Sequence, residues 1–139
     1  GANSTYLYDN IDEHQAYMEM YEYEQVKDKG LLITATDTVS VYCSNIAAYS
    51  FDVSYVMPVQ GLADDYIIQT YDQSNDTDDH TSAFLIVATE DNTTIDITPT
   101  CTTLGGRQAD ETFTITMDRG QAYQVRSHND WYNSRDLSG

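Results

Sequence analysis

The densest run of metal-ligating side chains is Asp72-Gln73-Ser74-Asn75-Asp76-Thr77-Asp78-Asp79-His80, in which oxygen-bearing groups recur at alternate positions. Loops that wrap a hard cation such as calcium are built this way, so Asp72, Asp76 and Asp78 are the candidate ligands. Two positions depart from the calcium loop of an EF-hand. Thr77 stands where the sharp turn requires glycine, and Ala83 where a bidentate glutamate would close the site. The plainer alternative is a solvated loop kept soluble by its charge, and no cofactor other than calcium is suggested.

Other chemistries find less support. His14, His80 and His128 form no HxH or HExxH pattern, and no serine lies in a GxSxG turn. Cys43 and Cys101 make no CxxC pair, which rules out a thioredoxin-type redox site and a four-thiolate zinc site. They are either two buried thiols or, in an exported protein, a Cys43–Cys101 disulfide. With 23 acidic residues, no single carboxylate pair stands out for sugar hydrolysis. No catalytic residue is assigned, and the chain is not expected to be an enzyme. Trp131-Tyr132, in a polar turn-like segment, could stack on a sugar ring or anchor a protein; alternatively the tryptophan folds back over the core.

Charge narrows the partners. Six Lys+Arg against 23 Asp+Glu give a net charge of −17, and eleven carboxylates fall between Lys29 and Arg107 with no Lys or Arg among them. Phosphate backbones and anionic lipid surfaces would be repelled, so nucleic acid is excluded as a partner. The longest apolar run, Phe84–Ala88, is far below the roughly 20 residues of a spanning helix, so no direct membrane insertion is expected.

The elements that must position these groups read as strands. From Gly30 onward, β-branched and aromatic residues alternate with polar ones between Gly, Pro, Asn and Asp turns. Strands are expected over 31–36, 39–43, 51–55, 66–71, 83–89, 94–98, 112–117 and 121–127. Of these, 66–71 and 83–89 are apolar on both faces and should be central. Glu90-Asp91-Asn92-Thr93 should close a hairpin between 83–89 and 94–98. Residues 16–26 fit either a helical period (Met18, Tyr21, Gln25) or a strand alternation (Tyr17, Glu19, Tyr21, Tyr23); their tyrosines favour an added edge strand, behind a loose leader of about residues 1–12. The expected fold is all-β, an antiparallel β-sandwich of about eight or nine strands, with residues 1–28 as leader and 29–139 as the domain.

Several of these segments carry a family resemblance. They are KGLLITATD at 29–37 leading into VSVY at 39–42, DDYII at 64–68 after Met57-Pro58, FLIVATEDNTT at 84–94, GQAYQV at 120–125 and DLSG at 136–139. In order and spacing this set resembles the IgGFc-binding protein N-terminal domain family over about residues 29–139. The acidic, plain strands look like a bacterial, Bacteroidetes-like member. The resemblance implies a module of a secreted or cell-surface protein that binds or adheres to a protein or glycan outside the cell, and it brings no catalytic motif. It also implies β-structure beyond the DLSG segment, so the sequence reads as truncated at that end. Two rival readings are a carbohydrate-binding module using Trp131 and Tyr132, and a structural spacer without a ligand.

Overall fold

The computed structural model describes residues 20–47, 50–71, 81–128 and 136–139. Among them are six strands: β1 (Tyr42–Ala47), β2 (Ser50–Tyr55), β3 (Ala83–Val87), β4 (Thr93–Ile97), β5 (Phe113–Met117) and β6 (Ala122–Arg126). The only helical element among the described residues is one 3₁₀ turn, Val59–Gly61, which follows Pro58. All strand pairing is antiparallel, in three two-stranded sheets: β1–β2, β3–β6 and β4–β5. The protein is therefore all-β, with fewer strands described than the eight or nine expected. The chain divides into two compact units, one formed by Gly1–Leu31 with Ile68–Gly139 and one by Leu32–Ile67.

The larger unit owns the core. Inward positions of its strands supply Ile97, Met117, Tyr123 and Val125, joined by Ala88, Cys101 and Leu137, with Phe84, Ile86, Ile95, Phe113 and Ile115 packed against them. The period-two pattern works as expected here: β3, β4 and β5 alternate between covered and exposed residues. β3 is nonetheless not a strand covered on both faces, because Leu85 and Val87 are about half exposed.

The expected hairpin between β3 and β4 does not form. β3 pairs with β6 and β4 with β5, so β3 and β4 are successive stretches of one arm, and β5 and β6 of the other. Ala88 continues the first ladder, donating its N–H to Gln121 O (3.0 Å) and accepting from Gly120 N (2.9 Å). Beyond it, both arms break at the same place. Glu90–Asn92 lies opposite Asp118–Gly120, and each corner satisfies the other. Asn92 N–H donates to Asp118 Oδ1 (3.0 Å), and Arg119 N–H to Asp91 Oδ1 (3.1 Å). Asn92 (φ 57°) and Gly120 (φ 82°) take the left-handed backbone that the corner needs. The turn chemistry was legible, but a turn motif does not say which strand comes back alongside.

Two expected strands are absent for a related reason. At 31–36 the chain bends at Thr36 and Asp37, where Thr38 N–H donates to Asp37 Oδ1 (2.7 Å), and Leu31, Leu32 and Ile33 are exposed. At 66–71 the backbone bonds pass to residues 136–139, partly through side chains, and Tyr66, Ile67 and Tyr71 are exposed rather than central. At 37–38 a local side-chain partner competes with a ladder, and for both segments β-propensity measures fit to a pleated, half-buried surface that they do not have. The strand expected at 39–43 begins instead at Tyr42 and runs to Ala47, matching the length of β2.

Residues 20–26 hold a bend at 22–25 and no strand, and residues 16–19 lie outside the described residues. The segment from Glu24 to Gly30 is nevertheless strapped along β6 and the turn before it. Glu24 N–H donates to Gln124 O (2.8 Å), Lys27 exchanges bonds with Ala122 (2.7 and 3.0 Å), and Gly30 N–H donates to Gly120 O (2.8 Å). Gly30 approaches so closely that a Cβ there would sit 2.6 Å from Gly120 O.

Candidate functional site

Three groups of residues could do chemistry or bind. The first is a hydroxyl clasp. Ser82 Oγ donates to Thr70 Oγ1 (2.6 Å), which donates to Asp136 Oδ1 (2.9 Å). Thr70 N–H donates to Ser138 Oγ (2.9 Å), Ser138 N–H to Asp136 Oδ1 (2.9 Å), and Leu137 N–H to Ser82 Oγ (3.2 Å). Ile68 and Gly139 exchange two backbone bonds of 2.9 Å each, laying 136–139 along 68–70. The bonds from Ser138 and then from Thr70 hold the Asp136 carboxyl below its ordinary value.

Proton transfer near neutral pH needs a group that titrates there, and this relay of two hydroxyls and a depressed carboxyl has none. The clasp is a structural latch that buries Leu137 in the core. Because the Asp136 value is lower in the folded chain than in the unfolded one, its contribution is complete above about pH 4 and falls away as acid takes the pH below that. Protection of the Ser138 amide from hydrogen exchange, measured against the intrinsic rate at each pH, should therefore fall below about pH 4, and Asp136→Asn should remove that pH dependence.

The second group is an anchor that sequence reasoning missed. Glu24 (φ 51°) has a side chain only 8% exposed, which accepts from Gly105 N–H (3.1 Å) and pairs with Arg107 at 3.6 Å. Arg107 in turn lies 4.5 Å from the centre of the Phe113 ring. Burial, and secondarily the Glu24 carboxylate, pushes the Tyr123 hydroxyl above its usual range. No spacing signal links Glu24 to a loop 81 residues later.

The third group is the β1–β2 ribbon. Its register pairs Tyr42 with Tyr55, Ser44 with Val53 and Ile46 with Phe51, so these positions share one face, while Cys43, Ser54, Asn45 and Asp52 fall on the other. The first face is apolar and uncovered: Tyr42 is 67% exposed, Phe51 64%, Val53 53% and Tyr55 52%. Tyr42 and Tyr55 meet edge to face, with ring centres 5.6 Å apart. Val39, Val56, Met57, Val59, Leu62, Tyr66 and Ile67 of the same unit are exposed as well. Wherever burial is described within 32–67, every residue is exposed except Val41, which is half-buried. A lone two-stranded ribbon is marginally stable in water, so such a face is built to be covered.

The residues singled out from sequence fare unevenly. Asp72, Asp76, Asp78, Trp131 and Tyr132 lie outside the described residues. Among the described residues, no three His, Cys, Asp or Glu side chains gather in a way that could hold a metal, and no helix is long and apolar enough to cross a membrane. Both cysteines are present as thiols; Cys101 is buried as expected, but Cys43 is exposed because it sits on the uncovered ribbon. A thiol reagent should modify Cys43 in the native chain and Cys101 only after denaturation. If neither reacts in the denatured chain, the two are joined in a disulfide.

No curated protein and no solved structure matches the chain. One family model does, over residues 52–139, from within β2 to the clasp. On that match the chain belongs to the family described as IgGFc binding protein.

Proposed function

We propose that the chain is a non-catalytic binding and adhesion module of a secreted or surface-displayed protein, and that it holds a protein ligand on the apolar face of the β1–β2 ribbon. The observation that carries this reading is the row of Tyr42, Phe51, Val53 and Tyr55, each more than half exposed on one face. Contiguous exposed apolar surface marks an interaction site, and tyrosine and phenylalanine are characteristic of interface cores. Family membership supports a protein as the ligand. An antiparallel β-sandwich of about eight or nine strands is the proposed architecture. Calcium at Asp72, Asp76 and Asp78 is a separate proposal; it predicts a higher melting temperature in millimolar calcium, and an unchanged one argues against it.

The test measures binding of the chain to immobilised IgG Fc, to serum and mucus proteins, and to a glycan array. A protein ligand retained by the wild type and released by Phe51→Ser/Tyr55→Ser supports the reading. Glycan binding that survives those changes but is lost in Trp131→Ala/Tyr132→Ala would move the site to that aromatic pair. If the parent protein stays fully active with this module exchanged for an unrelated one, the chain is a spacer.

A further inference from the structure

We infer that the partner surface is an apolar patch rimmed by lysine and arginine, carried by a different protein rather than by a second copy of this chain; this deepens the ribbon reading and rests on it. The segment 32–67 contains Asp37, Asp52, Asp64 and Asp65 and no Lys, Arg or His, so its formal charge is −4; Asp52 falls on the opposite face of the ribbon, and the other three lie outside its strands. Asp37, Asp64 and Asp65 are exposed. The nearest cations along the chain, Lys29 and Arg107, both belong to the other unit. The apolar face thus lies in a segment whose charge is all of one sign, and complementarity at an interface asks for the opposite sign on the facing surface.

Two further points favour a cationic partner. A second copy would set like charges against each other, −4 on each segment and −17 on each whole chain. Tyr42 and Tyr55 also offer exposed ring surface at the edge of the apolar row, where Val41 O closes the last rung with Val56 N at 2.9 Å. Tyrosine rings attract ammonium and guanidinium groups through their faces, so a basic rim would engage the aromatic row as well as the carboxylates.

Three synthetic β-hairpin peptides test this by fluorescence anisotropy with the full chain. One has a Val/Tyr face rimmed by lysine, the second has the same face rimmed by glutamate, and the third has a lysine rim around a serine face. The lysine-rimmed apolar peptide should bind at least about tenfold more tightly than its glutamate twin, and the preference should shrink between about 50 and 300 mM salt. The chain carrying Asp37→Asn, Asp64→Asn and Asp65→Asn should lose the preference. Equal binding of the two apolar peptides overturns the inference and leaves the ribbon reading standing. No binding by either, or binding by the serine-faced peptide as strong as by the apolar one, overturns both. Self-association of the chain through the ribbon, seen by sedimentation and abolished by Phe51→Ser/Tyr55→Ser, overturns the inference in favour of a second copy.

Discussion

Replacing Met117 with alanine is expected to destabilise the larger unit by about 2–5 kcal/mol. Met117 is 1% exposed and belongs to the buried cluster with Ile97, Tyr123 and Val125. Truncation removes three heavy atoms and leaves a cavity that neighbours on paired strands can fill only in part. Stability for a domain of this size is typically about 5–15 kcal/mol, so the loss is a large share of it. Urea unfolding followed by the near-ultraviolet signal of the tyrosines should show the midpoint falling markedly. Met57→Ala is the control: Met57 is 53% exposed, and its replacement should stay within about 0.5 kcal/mol of wild type. A change at Met117 as small as that at Met57 would mean that this cluster is not what holds the strands together.

Serine at both Phe51 and Tyr55 should do the reverse, lowering affinity for the protein ligand by roughly 1,000-fold while leaving unfolding nearly unchanged. Hot-spot side chains typically contribute about 2 kcal/mol or more, and each 1.4 kcal/mol is about tenfold in affinity. Folding loses little, because both side chains are already more than half in water and the Tyr42–Tyr55 contact is a single cross-strand pair of about 0.2–1 kcal/mol. Isothermal titration alongside thermal melts separates the two effects. A fall in melting temperature without a fall in affinity would assign this face to folding instead.

Where alternation met a real neighbouring strand, the sequence was a good guide. Phe51–Tyr55, Phe113–Met117 and the 83–89 and 94–98 segments all became strands within a residue or two of expectation. Where it did not, the pattern misled. LLITAT at 31–36 and YIIQTY at 66–71 carry the same β-branched and aromatic signal, yet the first is bent by a local bond to Asp37 and the second is held by the distant segment 136–139, partly through the Ser138 side chain, rather than by a regular ladder. TEDNTT was legible as a turn but not as a corner, because that depends on Asp118 meeting it from the opposite arm. The binding face was half legible. Its alternation was plain in SFDVSY, but an outward-facing apolar row looks the same in sequence as an inward-facing one. The Glu24 anchor left no trace, since it depends on one left-handed residue and a loop far along the chain.

The backbone strap from Glu24 to Gly30 has a practical consequence for anyone expressing this protein. A clone trimmed to the residues that the family model recognises would start at Asp52, inside β2. It would lose β1 entirely and strip β6 of the amides and carbonyls that Glu24, Lys27 and Gly30 now supply. An uncapped strand edge beside half-exposed Leu85 and Val87 invites polymerisation into fibrils. The smallest well-behaved fragment should therefore reach back at least to Glu24, some distance before the start of the family-model match.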